Sequence, residues 1–297
     1  MPRGSTVRTF DYKPAHSIDE ALALLAEYGD EAEFIAGGTS LILMMQQGLV
    51  QPGVVIGLGA VPELRGIKRT PDGGLDVGAM TTHRVLETSP EAFAFAAALP
   101  KALGWIATIR IRNQATLGGN LVHADPAQDP PPVLIALDAA VDVVGKANAA
   151  RMIPMESFFT DFFETALGEG ELVRSVKVPP MPAGSKLAYK KFLPRTEDDY
   201  ATVSVAVRLG IDAAGTCTDL RIGLGALGVT PLRAKAVEAA LLGQRLTESV
   251  VREAAALVRD EVDPLDDVRG SAKYKREMAR VWTERVILQL GGIGVPA

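Results

Sequence analysis

The sequence predicts an α+β protein built from two units. A strand, glycine turn, helix and strand open the chain, further short strands surround a Gly- and Pro-rich middle, and alternating strands followed by helices close it. At 297 residues the chain is roughly twice the ~150 residues of a loose single-domain prior. With 47% hydrophobic and 23% charged residues it has ample material for a buried core, far from the composition of a disordered chain.

In chain order, "SIDEALALLAEYG" is the first helix: Ser17 and Glu20 make a capping box, Ala21, Leu24, Leu25 and Tyr28 share a face, and Gly29 ends it. "EAEFIA" is a short strand running into Gly37 and Gly38, "SLILMMQQG" a short helix leaving them, and "GVVIGLG" the next strand, together a mononucleotide-like half unit. "LRGIKRT" and "GLDVGAM" pair through a turn at Pro71–Gly74, whose residues accept φ > 0. An alanine-rich helix, "SPEAFAFAAALPKALGWIA", is expected to break or bend at Pro100. The segment from Thr108 to Ala139 places a glycine pair, two aspartates and three consecutive prolines between an alternating stretch and an apolar helix, an amount of irregular backbone that needs a reason.

"AAVDVVG", "ARMIPM" and "ELVRSVKVP" are the closing strands of the first unit, and "PPMPAGSK" (Pro179–Lys186) is a linker. Beyond it, "LAYKKFL", "YATVSVAVRLGID" and "TCTDLRIGLGAL" alternate as a three-stranded antiparallel sheet. Three helices follow: one opened by Thr230 with Pro231 at its first position, then "TESVVREAAALVRDEV" and "SAKYKREMARVWTERVILQL".

The formal charge of −5 and pI near 5.4 argue against an electrostatic hold on nucleic acid or anionic membrane. "MPRGSTVRTFDYKP" lacks the apolar region of a secretory signal, and no segment approaches the ~18 apolar residues of a spanning helix, so a soluble, cytoplasmic protein is expected. The single cysteine, Cys217, excludes an intrachain disulfide, a cysteine zinc site and a thiolate set for an iron–sulfur cluster. His16, His83 and His123 show no metal-ligand spacing and are taken as structural or surface residues, His123 being the one whose neighbours suggest a site.

Chemistry concentrates in the glycine pairs. "AGGTS" (Ala36–Ser40) ends a strand with two residues that let the backbone approach a ligand, and Thr39 and Ser40 add hydroxyl donors, a combination suited to a pyrophosphate. No G-x-x-x-x-G-K-[ST] is present, so a transferable γ-phosphate is not expected there. "ATLGGN" (Ala115–Asn120) repeats the chemistry with Thr116 and the Asn120 amide, and two clamps on separate lobes suit a dinucleotide lying across a crevice. Asp125 and Asp129 follow, either as turn formers or as acceptors from sugar hydroxyls. "GLGALG" (Gly223–Gly228) spells G-x-G-x-x-G in the wrong context: an alternating strand precedes it, and Val229–Pro231 separate it from the helix.

Taken in order, "AGGTSL", "GAMTTH", "RNQATLGGNLVHADPAQD" and "YKKF…R…DDYATVSVA" resemble the FAD-binding medium subunit of the molybdenum hydroxylases, the family of carbon monoxide dehydrogenase and xanthine dehydrogenase, over nearly the whole chain. The resemblance implies a two-subdomain, p-cresol methylhydroxylase-like FAD-binding domain over residues 1–180, split near residue 60, and a C-terminal flavoprotein domain over 185–297. It also implies that Ala36, Gly37, Gly38, Thr39, Ser40 and Leu41 hold the FAD pyrophosphate, with Ile35 before them also a cofactor-binding residue and with Thr116, Leu117, Gly118, Gly119 and Asn120 contacting it from the second subdomain. Asp129, better than Asp125, matches the family's flavin-contacting aspartate. Ala107 matches a backbone contact, Val173 an adenine-side contact, Lys191 a lysine near the cofactor, and Tyr200 a residue against the isoalloxazine.

A branch similar to hydroxybenzoyl-CoA reductase carries a cysteine-bound cluster in this subunit, which Cys217 alone cannot hold. The implied partners are therefore a small subunit with two 2Fe-2S clusters and a large subunit with the molybdenum cofactor, as a dimer of heterotrimers, with electrons leaving to NAD⁺, a quinone or oxygen. A self-sufficient flavin oxidase and a non-catalytic docking module are the competing expectations.

Overall fold

The computed structural model describes residues 9–193, 196 and 199–294. The N-terminal stretch through Arg8 lies outside the described residues, as do Arg195 and Asp198 of the last quoted motif. The chain begins with β1 (Asp11–Pro14), α1 (Ile18–Tyr28), β2 (Ala32–Ile35), α2 (Leu41–Gln47) and β3 (Val54–Gly57). These strands form a parallel sheet in the order β1-β3-β2, so the expected strand, turn, helix, strand unit is present, with β1 added at one side. Ser17 Oγ caps α1 by accepting from Glu20 N–H at 3.1 Å, and Gly29 ends it at φ +51.

A second sheet follows in the order β4-β5-β10-β6-β7, antiparallel throughout. Its elements in chain order are β4 (Ile67–Arg69), β5 (Leu75–Gly78), α3 (His83–Glu87), α4 (Pro90–Phe95), α5 (Ala98–Leu103), α6 (Ile109–Gln114), α7 (Leu117–His123), α8 (Pro130–Ala136), β6 (Ala140–Val144), β7 (Ala150–Pro154), the small β8/β9 hairpin (Phe159–Asp161 and Glu164–Thr165) and β10 (Leu172–Val178). The helices and one face of this sheet share a core that includes Leu75, Leu86, Leu103, Leu121, Leu134 and Val176.

Two expectations change here. The alanine-rich helix breaks at Ala96 (φ −159), not at Pro100, which sits in the first turn of α5, where a proline's missing N–H removes no helical hydrogen bond. The long irregular segment is largely helical: α6 is capped by Thr108, α7 by Thr116, and the three prolines form the first turn of α8. Its alternating residues are thus a short helix, too brief for the two periods to separate.

The last part holds β11 (Lys186–Phe192), β12 (Val203–Ile211), β13 (Cys217–Gly225), β14 (Leu232–Arg233), α9 (Lys235–Leu241), α10 (Glu248–Ala256), α11 (Val258–Glu261) and α12 (Ala272–Gly291). Its antiparallel sheet has four strands among the described residues, not three. Leu232 and Arg233 pair with Leu224 and Gly223, so the helix expected from Pro231 begins only at Lys235. The helix expected over "TESVVREAAALVRDEV" is divided into α10 and α11 at Leu257. No helix among the described residues is long and apolar enough to cross a membrane.

"GLGALG" has a packing role. A Cβ at Gly223 would lie 2.0 Å from Pro132 O, and one at Gly225 2.7 Å from Pro132 Cγ, so these glycines let α8 press against β13.

Candidate functional site

The two glycine pairs meet. Leaving β2, the chain turns through Ala36–Ser40 with Gly38 at φ +72, a region that favours glycine, before α2 begins. The second pair does not end a strand, as the first does: Gly118 and Gly119 lie in the first turn of α7, where Thr116 Oγ1 accepts from Gly119 N–H at 3.1 Å. A Cβ at Gly37 would fall 2.0 Å from Gln114 O, and one at Gly119 would fall 3.2 Å from Ala36 Cβ. Gly37 is bare because the backbone at Gln114 and Ala115 occupies the space beside it, and Gly119 because Ala36 and Thr116 do.

A cleft of about 520 Å³ opens along this contact, within the size range of small-molecule sites. Ala36, Gly37, Gly38, Thr39, Ser40 and Leu41 line one side; Ala107, Thr116, Gly118, Gly119, Asn120, Asp129 and Val173 line the other; Lys191 and Tyr200 reach in from the last sheet and the loop after it. Ile35, Leu117 and Asp125 are outside the lining. Ile35 packs beneath Gly38, Leu117 is core, and the Asp125 carboxylate accepts from Ala127 N–H at 2.8 Å within its own turn.

Asp129 and Lys191 form a buried ion pair across the molecule. Lys191 Nζ donates to Asp129 Oδ2 at 3.0 Å and to Trp105 O at 2.9 Å, while the Tyr189 hydroxyl donates to Asp129 Oδ1. Burial pushes the Asp129 carboxyl above the usual range, with the Lys191 ammonium and the Tyr189 hydroxyl acting against it. The same burial, reinforced by Asp129, drives the Tyr189 phenol well up, so it stays a donor. Arg112 anchors the neighbouring loop: its Nη1 donates to Ile106 O at 2.9 Å and Ala107 O at 2.8 Å, and its Nε pairs with Glu87 at 3.0 Å. Ala107 is thereby held at φ +39, a left-handed conformation that a non-glycine residue keeps only when its surroundings impose it. At the mouth, the half-exposed Tyr200 ring stacks on the Arg269 guanidinium, 5.4 Å from the ring centroid.

Comparison with known proteins reads this geometry. Residues 8–181 match the family model described as the FAD binding domain in molybdopterin dehydrogenase, and residues 188–290 match the CO dehydrogenase flavoprotein C-terminal domain. The chain is a medium FAD-binding subunit of the carbon monoxide dehydrogenase/xanthine dehydrogenase family of molybdenum hydroxylases. It is 36% identical to the alpha subunit of the 6-hydroxypseudooxynicotine dehydrogenase complex of Paenarthrobacter nicotinovorans, covering 94% of this chain and 93% of that one. To the carbon monoxide dehydrogenase medium chain of Hydrogenophaga pseudoflava it is 35% identical, over 94% and 96% of the two chains. The solved carbon monoxide dehydrogenase from that organism, which lacks the Mo-pyranopterin moiety of its cofactor, superposes with a TM-score of 0.90 at 37% identity, over 94% and 96% of the chains. The protein is thus an oxidoreductase subunit, and its N-terminal part is an FAD-binding domain.

The medium subunit's cleft has the donor set such a cofactor needs. Backbone turns at Gly38 and the start of α7, together with the Thr39 and Ser40 hydroxyls, suit a diphosphate. Asn120 Oδ1 and both amide atoms of Gln128 are buried in the wall without a hydrogen-bonding partner among the described residues, as groups that a bound molecule would satisfy. Sequence reasoning missed Gln128, which lay inside a quoted motif with nothing to set it apart. It also missed His83 as a wall residue, along with the apolar wall of Phe34, Met44, Leu58, Met80 and Phe163. Those side chains come from many elements, and no local pattern joins them.

Proposed function

We propose that this chain is the electron-transfer subunit of a multi-subunit molybdenum hydroxylase, receiving electrons from the 2Fe-2S clusters of a small partner subunit and delivering them to an external acceptor. The observation that carries this reading is the contact of two glycine motifs over one cleft, into which the C-terminal part adds Lys191 and Tyr200. Its relatives carry the names medium chain and complex subunit, which supports an assembly with small and large partners. Bound FAD supplies the redox chemistry.

The chain's residues supply position and electrostatics. Ala36–Leu41, braced by Ile35, would hold the diphosphate through backbone N–H groups and two hydroxyls, opposed by Thr116–Asn120. Leu117 anchors α7 in the core so that its first turn faces the cleft. Val173 would contact the cofactor's adenine side, Ala107 would contact the cofactor through its backbone, Asp129 and Lys191 would face its polar groups and Tyr200 the isoalloxazine, while Asp125, outside the lining, holds its own turn. We assign residues 1–180 to the FAD-binding domain, with subdomains dividing near residue 60, and 185–297 to the C-terminal domain. The assembly we propose is a cytoplasmic dimer of heterotrimers, with the molybdenum cofactor in the large subunit.

The full chain expressed alone should carry a flavin spectrum yet show no substrate-dependent flavin bleaching until the small and large subunits are added. Bleaching by substrate in the isolated chain would overturn the proposal in favour of a self-sufficient oxidase.

A further inference from the structure

Gln128 is 3% exposed, lines the cleft, and leaves both Oε1 and Nε2 without a hydrogen-bonding partner among the described residues. Its backbone is fixed independently of any ligand. Asp125 O accepts from Gln128 N–H at 3.2 Å, the Asp125 carboxylate accepts from Ala127 N–H at 2.8 Å, and Ala226 N–H of the C-terminal domain donates to Pro126 O at 2.9 Å. On its other side, Asp129 is occupied by Lys191 and Tyr189. The fold therefore uses up the polar groups flanking Gln128 and leaves its carboxamide over. Leaving a buried polar group unpaired is costly, and an apolar side chain of similar shape would avoid that cost. Buried polar groups are paired as a rule, so two unpaired atoms on a cleft wall point to a partner that arrives with the ligand.

We infer that the Gln128 carboxamide pairs with a planar donor–acceptor edge of the bound FAD, an inference that rests on the FAD reading above. A carboxamide offers a C=O acceptor and N–H donors in one plane. Its match is an edge with an N–H beside an acceptor, found in FAD at the isoalloxazine imide and at the adenine amino group beside a ring nitrogen. The diphosphate offers acceptors only, and the ribityl hydroxyls have no fixed plane.

The test uses the full chain stripped of flavin and titrated with FAD, N3-methyl-FAD, in which the imide N–H is blocked, and flavin purine dinucleotide, in which a hydrogen atom replaces the adenine amino group. Wild type and Gln128→Leu are compared by flavin fluorescence, with circular dichroism as the check on folding. Gln128→Leu should bind FAD about tenfold more weakly, the size expected for one or two hydrogen bonds. One analogue should cost the wild type about tenfold and the variant nothing: the methylated flavin if the isoalloxazine is read, the purine compound if adenine is. Equal analogue penalties in both proteins would overturn the inference while leaving FAD binding intact, whereas a wild-type chain that takes up no FAD would overturn the functional reading beneath it. Should Gln128→Leu not fold, Gln128→Glu, of the same size but with no amide donor, is compared in the same way.

Discussion

His83 shows how a single residue depends on its surroundings. It is fully buried in the cleft wall, and neither ring nitrogen has a partner among the described residues. Burial, aided by the charge on Arg112, lowers its pKa to about 4. The imidazole is neutral at pH 7. Between the ordinary value of 6.5 and about 4, the unfolded chain binds a proton that the folded chain refuses, so stability falls as pH falls through that window. The full effect is about 3 kcal/mol. His83→Leu should flatten this part of the stability profile, whatever it does to stability at pH 7, and urea unfolding at pH 7, 5.5 and 4.5 would measure it. An unchanged slope would place the acid sensitivity elsewhere. In sequence, His83 looked like an ordinary histidine of "GAMTTH"; its position in the wall follows from the α3 N-terminus, where its N–H donates to Ala115 O at 3.0 Å.

At the scale of elements, the glycine pairs separate packing from binding. A Cβ at Gly37 would meet the Gln114 carbonyl at 2.0 Å, and one at Gly118 would meet Ala79 Cβ at 2.6 Å, both against backbone or a short side chain that cannot swing away. Gly119 is less confined, at 3.0 Å from Thr116 Oγ1 and 3.2 Å from Ala36 Cβ. Gly37→Ala and Gly118→Ala should therefore destabilise the fold by about 2 kcal/mol or more. Gly119→Ala should cost less stability yet weaken FAD retention, because it pushes apart the two motifs that frame the cleft. Thermal unfolding and flavin content of the purified variants would separate these outcomes, and equal losses at all three positions would refute the distinction. The glycine pairs were legible because Gly-Gly beside Thr is a local signal. The helical setting of the second pair was not, since α6 and α7 are too short for periodicity to identify and are set by the caps of Thr108 and Thr116. Strand β14 escaped for a similar reason: two residues carry no alternation, and only pairing with β13 makes them a strand.

Across the whole molecule, the two domains are joined by contacts of which one reaches the cleft. Arg208 on β12 pairs with Asp138 at 2.8 Å, α8 lies against β13, and the buried Lys191–Asp129 pair lines the cleft. Removing one partner of such a pair leaves an unpaired buried charge, at a cost of about 3–5 kcal/mol. Lys191→Met should destabilise the protein by about 3 kcal/mol at pH 7 and by less at pH 5. Without the ammonium, burial is opposed only by the Tyr189 hydroxyl and raises the folded pKa of Asp129 further, so stability is greatest where the carboxyl is protonated and is lost as pH rises through that value. Urea midpoints at the two pH values would check the sign, and an equal loss at both would show that Asp129 does not carry the effect.

By itself the sequence determined a mixed α/β fold, the strand, glycine turn, helix and strand opening, and the identity of both glycine motifs. Each of these is written in neighbouring residues as periodicity, caps or steric permissiveness. Only the tertiary structure decided that the two motifs touch, that Asp129 is bound to Lys191 and Tyr189 some sixty positions away, and that the Gln128 amide is left unpaired. Contact and burial between distant segments depend on how whole layers pack, and no local pattern encodes that packing.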